Sequence, residues 1–270
     1  MKSTTLFIFS AFVLLASCNE KHERRNKDGG WVSKVTSTDN GAVKQKEFTG
    51  DFDEIEVSQA IDAEVIKSET ERVVVSAPEN IISEILVDND HGKLHIHYKP
   101  GFRVMNSNRV TAKIYTKDFT KLIANSAGKI TVRDKFTQEK TEVELSSAAS
   151  ITGDLEANKM EINADSSSSF EGKIWAVDLD IETSSAASVS ISGKAKNADV
   201  SVSSGSSVSS KEVVAENVKA TASSGGSLEI TASSSIQAEA SSGGSVTVSK
   251  RGNVTNITKN ESSGGSVSIE

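Results

Sequence analysis

From residue 47 onward apolar and polar side chains alternate along the chain. Phe52, Ile55 and Val57, then Ile61, Ala63 and Val65, are each separated by polar residues, and Lys93–Tyr98 and Val110–Tyr115 repeat the pattern. Alternation of period two, rich in β-branched residues, predicts strands with one buried face. Asp90-His91-Gly92, set between two apolar runs, predicts a tight turn. The only helical signal is short, at Glu79–Leu86.

Beyond residue 120 the alternation becomes a repeat. Short runs of Ser, Ala and Gly, such as Ser184-Ser-Ala-Ala-Ser and Ser241-Ser-Gly-Gly-Ser, each end at an apolar residue: 130, 151, 170, 189, 208, 228, 246 and 267. The intervals are 21, 19, 19, 19, 20, 18 and 21 residues. Six residues before the closing position lie Ala124, Leu145, Ala164, Thr183, Val202, Ala222 and Ala240. Eight before lie Leu122, Val143, Ile162, Ile181, Val200, Ala220 and Ala238; ten before lie Thr120, Thr141, Met160, Leu179, Ala198, Val218 and Ile236. Each unit therefore predicts an inward-facing strand, a small-residue corner and a second short strand. A unit of about 19 residues cannot bury its own apolar face and must stack on its neighbours. The expected fold is all-β, a right-handed parallel β-helix with coils of about 19 residues. Small residues let the corners stack, Gly accepts positive φ, and Ser hydroxyls are expected to bond along the stack or to backbone groups freed by the bend. In the last coil the inward positions are Ile257, Lys259 and Glu261, and two charges there blunt an open edge. Glu270 falls within the second strand of that coil, so a homo-oligomer through the C-terminal end, or a fold-back covering it, is expected.

The first residues follow a different logic. Lys2 precedes an apolar run from Leu6 to Leu15, then Leu15-Ala16-Ser17-Cys18. The run is shorter than the roughly 20 residues of a membrane span, and charge, apolar middle and small residues have the order of a secretory signal. Cys18, the only cysteine in the chain, resembles the lipidated cysteine of a bacterial lipobox. The domain reading is a lipoprotein signal peptide at 1–17, lipidated Cys18 with a polar tether to 46, and a β-helix domain at 47–270. Its coils are irregular at 47–120 and regular at 121–270. Lipid on Cys18 ties the chain to the membrane; Asn19, where an Asp often retains lipoproteins in the inner membrane, points to the outer one.

Composition narrows the chemistry. Net charge is -7, which argues against nucleic acid as a partner. With one cysteine no disulfide can form within the chain, so burial and backbone pairing must supply stability. Aromatic residues make up only 5% of the chain. The recurring Ser-Gly-Gly-Ser suggests a serine nucleophile, but the repeats contain no histidine to act as base. His95 and His97 share a strand face, with His91 nearby on the turn; they read as the solvated face of a hairpin, and no metal site or cofactor is assigned. Asp178 and Asp180 lie near Trp175 and are expected to point outward. No catalytic residue is assigned.

With the lipobox, the opening Phe48-x-x-Phe52-x-x-Ile55-x-Val57, the strand Gly92-Lys93-Leu94-His95-Ile96 and the repeats through Val267, the chain resembles the DUF2807 family of adhesin-like lipoproteins with a head GIN domain. The resemblance covers roughly residues 44 to 270 and implies a right-handed β-helix-like fold without an established activity. The expected function is a lipid-anchored cell-envelope module, non-enzymatic, binding a glycan or an envelope protein through a site the sequence does not locate. The alternative is a carbohydrate-active enzyme with its site in 47–120.

Overall fold

The computed structural model describes residues 35–36, 41–104 and 110–270, all within one compact unit, Ser33–Glu270. Cys18, the signal segment and most of the tether lie outside the described residues. The unit is an all-β solenoid of parallel coils. The expected register holds residue for residue: Ile130, Ile151, Phe170, Val189, Val208, Leu228, Val246 and Val267 follow one another as a column. Every member is at most 3% exposed. Leu122, Val143, Ile162, Ile181, Val200, Ala220 and Ala238 form a second buried column. Each Val, Leu or Ile so buried contributes about 1.5–3 kcal/mol.

The corner between these columns is a two-residue turn with both residues at positive φ, as at Ser126 (50°) and Ala127 (63°), or Ser204 (54°) and Gly205 (70°). Both central φ values positive is the type I′ geometry; here it joins strands of two walls, each paired with its counterparts in neighbouring coils. It is closed by Gly128 N–H to Asn125 O at 2.8 Å and by its equivalents up to Gly265 N–H to Ser262 O. Nothing lies within 4 Å of a Cβ built on Gly205, Gly225 or Gly243; glycine serves there for its φ, not for space. Corners also bond to one another: Ala148 N–H donates to Ser166 O at 3.0 Å, Ser167 N–H to Ser185 O at 3.0 Å, and Ala186 N–H to Ser204 O at 3.2 Å. The bend thus leaves few backbone groups for hydroxyls to satisfy. Hydroxyls bond backbone where Ser168 and Ser206 turn inward, to Leu145 O at 3.2 Å and Thr183 O at 3.0 Å.

After the corner the chain does not break into a separate short strand. It bends and runs on, so that Ser169–Thr183 is one strand of 15 residues. This adds a third wall, with Leu155 and Ile174 in register, and an inner column of Ala157, Ala176, Ala195, Ala215 and Ala232. All five alanines are buried.

The first coils are interleaved out of chain order. Glu54–Val57 pairs with Lys121–Ala124 on one side and with Lys93–Tyr98 on the other; Asp62–Lys67 likewise lies between Lys129–Val132 and Thr111–Thr116. The coil made by residues 93–116 therefore sits outside the coil made by 54–67. Arg72–Pro78 covers it antiparallel, and Val43–Thr49 pairs antiparallel with Arg72–Pro78, starting within the stretch read as tether. Ile85–Asp90 and Lys93–Tyr98 form the expected hairpin through His91 and Gly92, both at positive φ. The helical signal is one 3-10 turn, Ile82–Glu84. Thr120 departs from its inward assignment. It is exposed where the chain crosses back past the 54–67 coil, its N–H bonded to Asp53 O at 2.7 Å, and Phe119 takes the core position against Phe136, ring centroids 4.9 Å apart.

At the other end every residue of Asn256–Glu261 is exposed, including Ile257, Lys259 and Glu261. Lys259 Nζ lies 3.0 Å from Glu261 Oε1, which accepts the Val267 N–H at 2.6 Å. The charges at this edge thus hold the last strand as well as blunt the sheet.

Ile181 is fully buried between Ile162 and Val200, while Glu182 faces out. Ile181→Ala should cost about 2–5 kcal/mol, and Ile181→Asp more, because the carboxylate has no partner there. Glu182→Lys should leave the melting temperature within a few degrees of wild type. Thermal unfolding followed by circular dichroism checks this; equal shifts for Ile181→Asp and Glu182→Lys would overturn the register.

Candidate functional site

The interior columns are filled, so chemistry is presented on the outer walls. On the wall of Ile181 the outward column runs Lys121, Glu142, Glu161, Asp180, Asp199, Lys219. Strands about 4.8 Å apart stack these carboxylates directly over one another. A lysine closes each end. Lys121 Nζ lies 2.8 Å from Glu142 Oε1 and 2.7 Å from Glu144 Oε1, and Lys219 Nζ lies 2.8 Å from Asp199 Oδ2. Hydrogen bonding from Lys121 draws the Glu142 pKa down to about 2, and burial counters it only in part. Asp180, in the middle, goes the other way. Partial desolvation, then repulsion from Asp199, Glu182 and Glu161, raise its pKa above the ordinary carboxylate range. Glu161, Asp180, Glu182 and Asn163 line a shallow groove of about 860 Å³ that runs up to the serine corner.

At the edge of this wall Asp178, Asn197, Asn217 and Ser235 form a hydrogen-bonded ladder. Asn197 Nδ2 donates to Asp178 Oδ1 at 2.8 Å, Asn217 Nδ2 to Asn197 Oδ1 at 2.9 Å, and Ser235 Oγ to Asn217 Oδ1 at 2.8 Å. Both Asp178 and Asp180 point outward, as expected. The wall of the closing apolar residues carries seven serines in register, from Ser150 to Ser266. The third wall carries Trp175, which is 44% exposed.

The histidines lie in the head. His95 and His97 stack at 4.1 Å between ring centroids. His95 Nε2 lies 3.0 Å from Ser58 Oγ and 3.5 Å from Glu56 Oε1, and His97 Nε2 lies 2.9 Å from Asp88 Oδ2. Burial lowers the His95 pKa against the pull of Glu56. The Ser58–His95 contact joins residues 37 apart in the chain. Ser58 is 5% exposed, and Glu56 competes with it for the same nitrogen. This arrangement ties head strands together and lacks the separate orienting acid that an activated serine requires. His91 stays on its turn, beside Asp90. Among the described residues no three His, Cys, Asp or Glu side chains are grouped to hold a metal ion, and no helix is long and apolar enough to cross a membrane.

Stacked parallel coils with an interleaved head and polar outer columns define a β-solenoid. The chain belongs to the DUF2807 family, described as "Putative auto-transporter adhesin, head GIN domain", which matches residues 51–174 and 148–252. No curated relative matches it. Among solved structures it is similar to a "putative adhesin" from Parabacteroides merdae, with TM-score 0.77 and 17% identity over 88% of this chain and 100% of that one. A "putative lipid binding protein" from Parabacteroides distasonis matches at TM-score 0.74 and 18% identity, over 88% and 100% of the two chains. A "putative adhesin" from Bacteroides fragilis matches at 0.64 and 14%, over 86% and 99%. At such identities the likeness concerns the fold.

Because the Asp180 pKa is raised in the folded chain, its charge opposes folding above the carboxylate range, and protonation removes the penalty. Asp180→Asn should therefore raise the melting temperature at pH 7, and the gain should vanish below about pH 3, where Asp is protonated in both states. Melting curves across that range check it; a gain that persists at low pH would contradict the electrostatic origin.

Proposed function

We propose that the chain is a lipid-anchored, non-enzymatic adhesin-like module of the bacterial cell envelope, held through Cys18 and presenting its solenoid walls to a partner outside the cytoplasm. The observation that carries this reading is the division of the fold: core columns packed solid, and outer columns of polar side chains repeating from coil to coil. A surface of that kind offers many weak, regularly placed contacts and suits an extended partner. Membership of an adhesin-described family supports it. The order Lys2, Leu6–Leu15, Leu15-Ala16-Ser17-Cys18 supports the anchor, and two acyl chains hold far more firmly than one, which binds with only about 10⁴ M⁻¹.

Cys18→Ala should move the protein from the carbonate-washed membrane fraction to the soluble fraction; retention in the membrane would contradict the anchor. Cells carrying the wild-type chain should also adhere to glycan- and protein-coated surfaces severalfold more than cells lacking it, and equal adhesion would contradict the binding role.

A further inference from the structure

Among the described residues three large apolar side chains remain exposed: Val43, Trp175 and Ile257. Val43 and Ile257 lie on strands at the two ends of the stack. Trp175 alone sits in mid-stack, on a wall whose strands are paired on both sides. It is in register with Glu156 in the coil before and Lys194 in the coil after. Trp175 and Lys194 together form the partition between two shallow hollows, of about 860 and 520 Å³.

The charges around the indole are unevenly satisfied. In the first hollow Arg133 is held by Glu64, and Lys135 by Glu156 at 2.6 Å. Lys173 and Lys194 in that hollow, and Lys196 and Arg251 in the second, make no ion pair among the described residues. Four such cations thus flank one exposed aromatic ring: Lys173 in the first hollow, Lys196 and Arg251 in the second, and Lys194 in both. Lys121 and Lys219 are engaged by carboxylates, whereas Lys113, Lys117, Lys129 and Lys211 also make no ion pair among the described residues; the four cations here differ in being grouped about an exposed indole.

We propose that this wall binds an acidic glycan, a chain of sugar rings carrying carboxylate or sulfate groups. The proposal rests on the reading of the chain as a binding module and adds the class of its ligand. One sugar ring lies with its C–H face on the Trp175 indole, an apolar contact with a defined orientation. The acidic substituents of neighbouring rings reach Lys173 on one side and Lys194 and Lys196 on the other, as charge-assisted hydrogen bonds. A neutral glycan would leave these ammonium groups partly desolvated and unpaired. An anionic membrane fits less well: Asp154, Glu156, Glu212 and Glu216 share the wall and would be pressed against lipid headgroups, whereas a narrow chain passes between them. The net charge of -7 disfavours nucleic acid.

The test uses the full chain carrying Cys18→Ala, so that no acyl group contributes, titrated calorimetrically with polygalacturonate, dextran and phosphatidylglycerol vesicles. Saturable binding to polygalacturonate and none to dextran is expected. Trp175→Ala should weaken it roughly tenfold, and Lys194→Gln with Lys196→Gln should weaken it and flatten its salt dependence, with melting curves of all variants unchanged. No binding of polygalacturonate, equal binding of dextran, undiminished affinity of Trp175→Ala, or vesicle binding that depends on Trp175 would each overturn the proposal. Adhesion of cells carrying Trp175→Ala separates the two readings: wild-type adhesion there discards this ligand site and keeps the binding module, while absence of adhesion even with the unaltered chain discards the module itself.

Discussion

From Ser126 to Gly264 each small-residue corner must hold two consecutive residues at positive φ and still lie flat against the corner of the next coil. Positive φ costs a non-glycine residue roughly 1–2 kcal/mol, and here serine takes the first position in coil after coil. The cost is offset by pairing. From Ala127 to Gly225 the second residue of the turn donates its N–H to the first residue of the next turn, as from Ala127 to Ser147 O at 2.9 Å and Gly225 to Ser242 O at 3.2 Å. Space is tight at the residue that closes the turn, where a Cβ on Gly226, Gly244 or Gly265 would come within 2.7 Å of backbone in the preceding coil. Once corners stack in register, the strands on either side are in register too, and the core columns follow.

The same constraint decides what the outside looks like. Register places equivalent outward residues directly above one another, so a chance preference for acid at one position becomes a column of acid. The molecule tolerates Glu142, Glu161, Asp180 and Asp199 in line because Lys121 and Lys219 neutralise the ends, while the middle pays through the raised pKa of Asp180. Asn197 and Asn217 use the stacking differently, each passing its amide hydrogen to the carbonyl or carboxylate of the previous coil. Trp175 interrupts its column, with Glu156 before it and Lys194 after it.

Much of this was legible in the residues. Alternation and the 19-residue spacing placed the corners and both main core columns, because burial on one face of a strand leaves a period of two; in the last coil Ile257, Lys259 and Glu261 keep the inward register but are exposed, with no coil beyond them among the described residues. The third wall was not seen: alternation continues past Gly153, Gly172 and Gly193, and these glycines inside a strand pattern, each closely approached by neighbouring backbone, are the mark that was missed. The interleaved head was also out of reach, since Ile55-Glu-Val57 and Leu94-His-Ile96 present the same pattern and pattern alone does not say which coil lies outside. Thr120 was misplaced for that reason, being assigned by spacing where the chain in fact crosses over. Trp175 and Asp180 could be singled out as unusual residues, but the unpaired lysines around one and the carboxylates around the other are neighbours only through coil stacking. The Ser58–His95 contact, across the out-of-order coils, had no sequence signal at all.

Amide hydrogen exchange tests the stacked-corner account most directly. The corner residues Ala148, Ser167, Ala186 and Gly205 are exposed to solvent, and in an isolated turn their amides would exchange freely. If each is bonded to the next coil, they should exchange as slowly as the neighbouring strand amides of Ile162, Ile181 and Val200, with protection falling off in the last two corners, at Gly243 and Gly264, past the final corner-to-corner bond from Gly225 to Ser242 O. Exchange of these corner amides at the rate of an unstructured chain, beside protected strands, would contradict it.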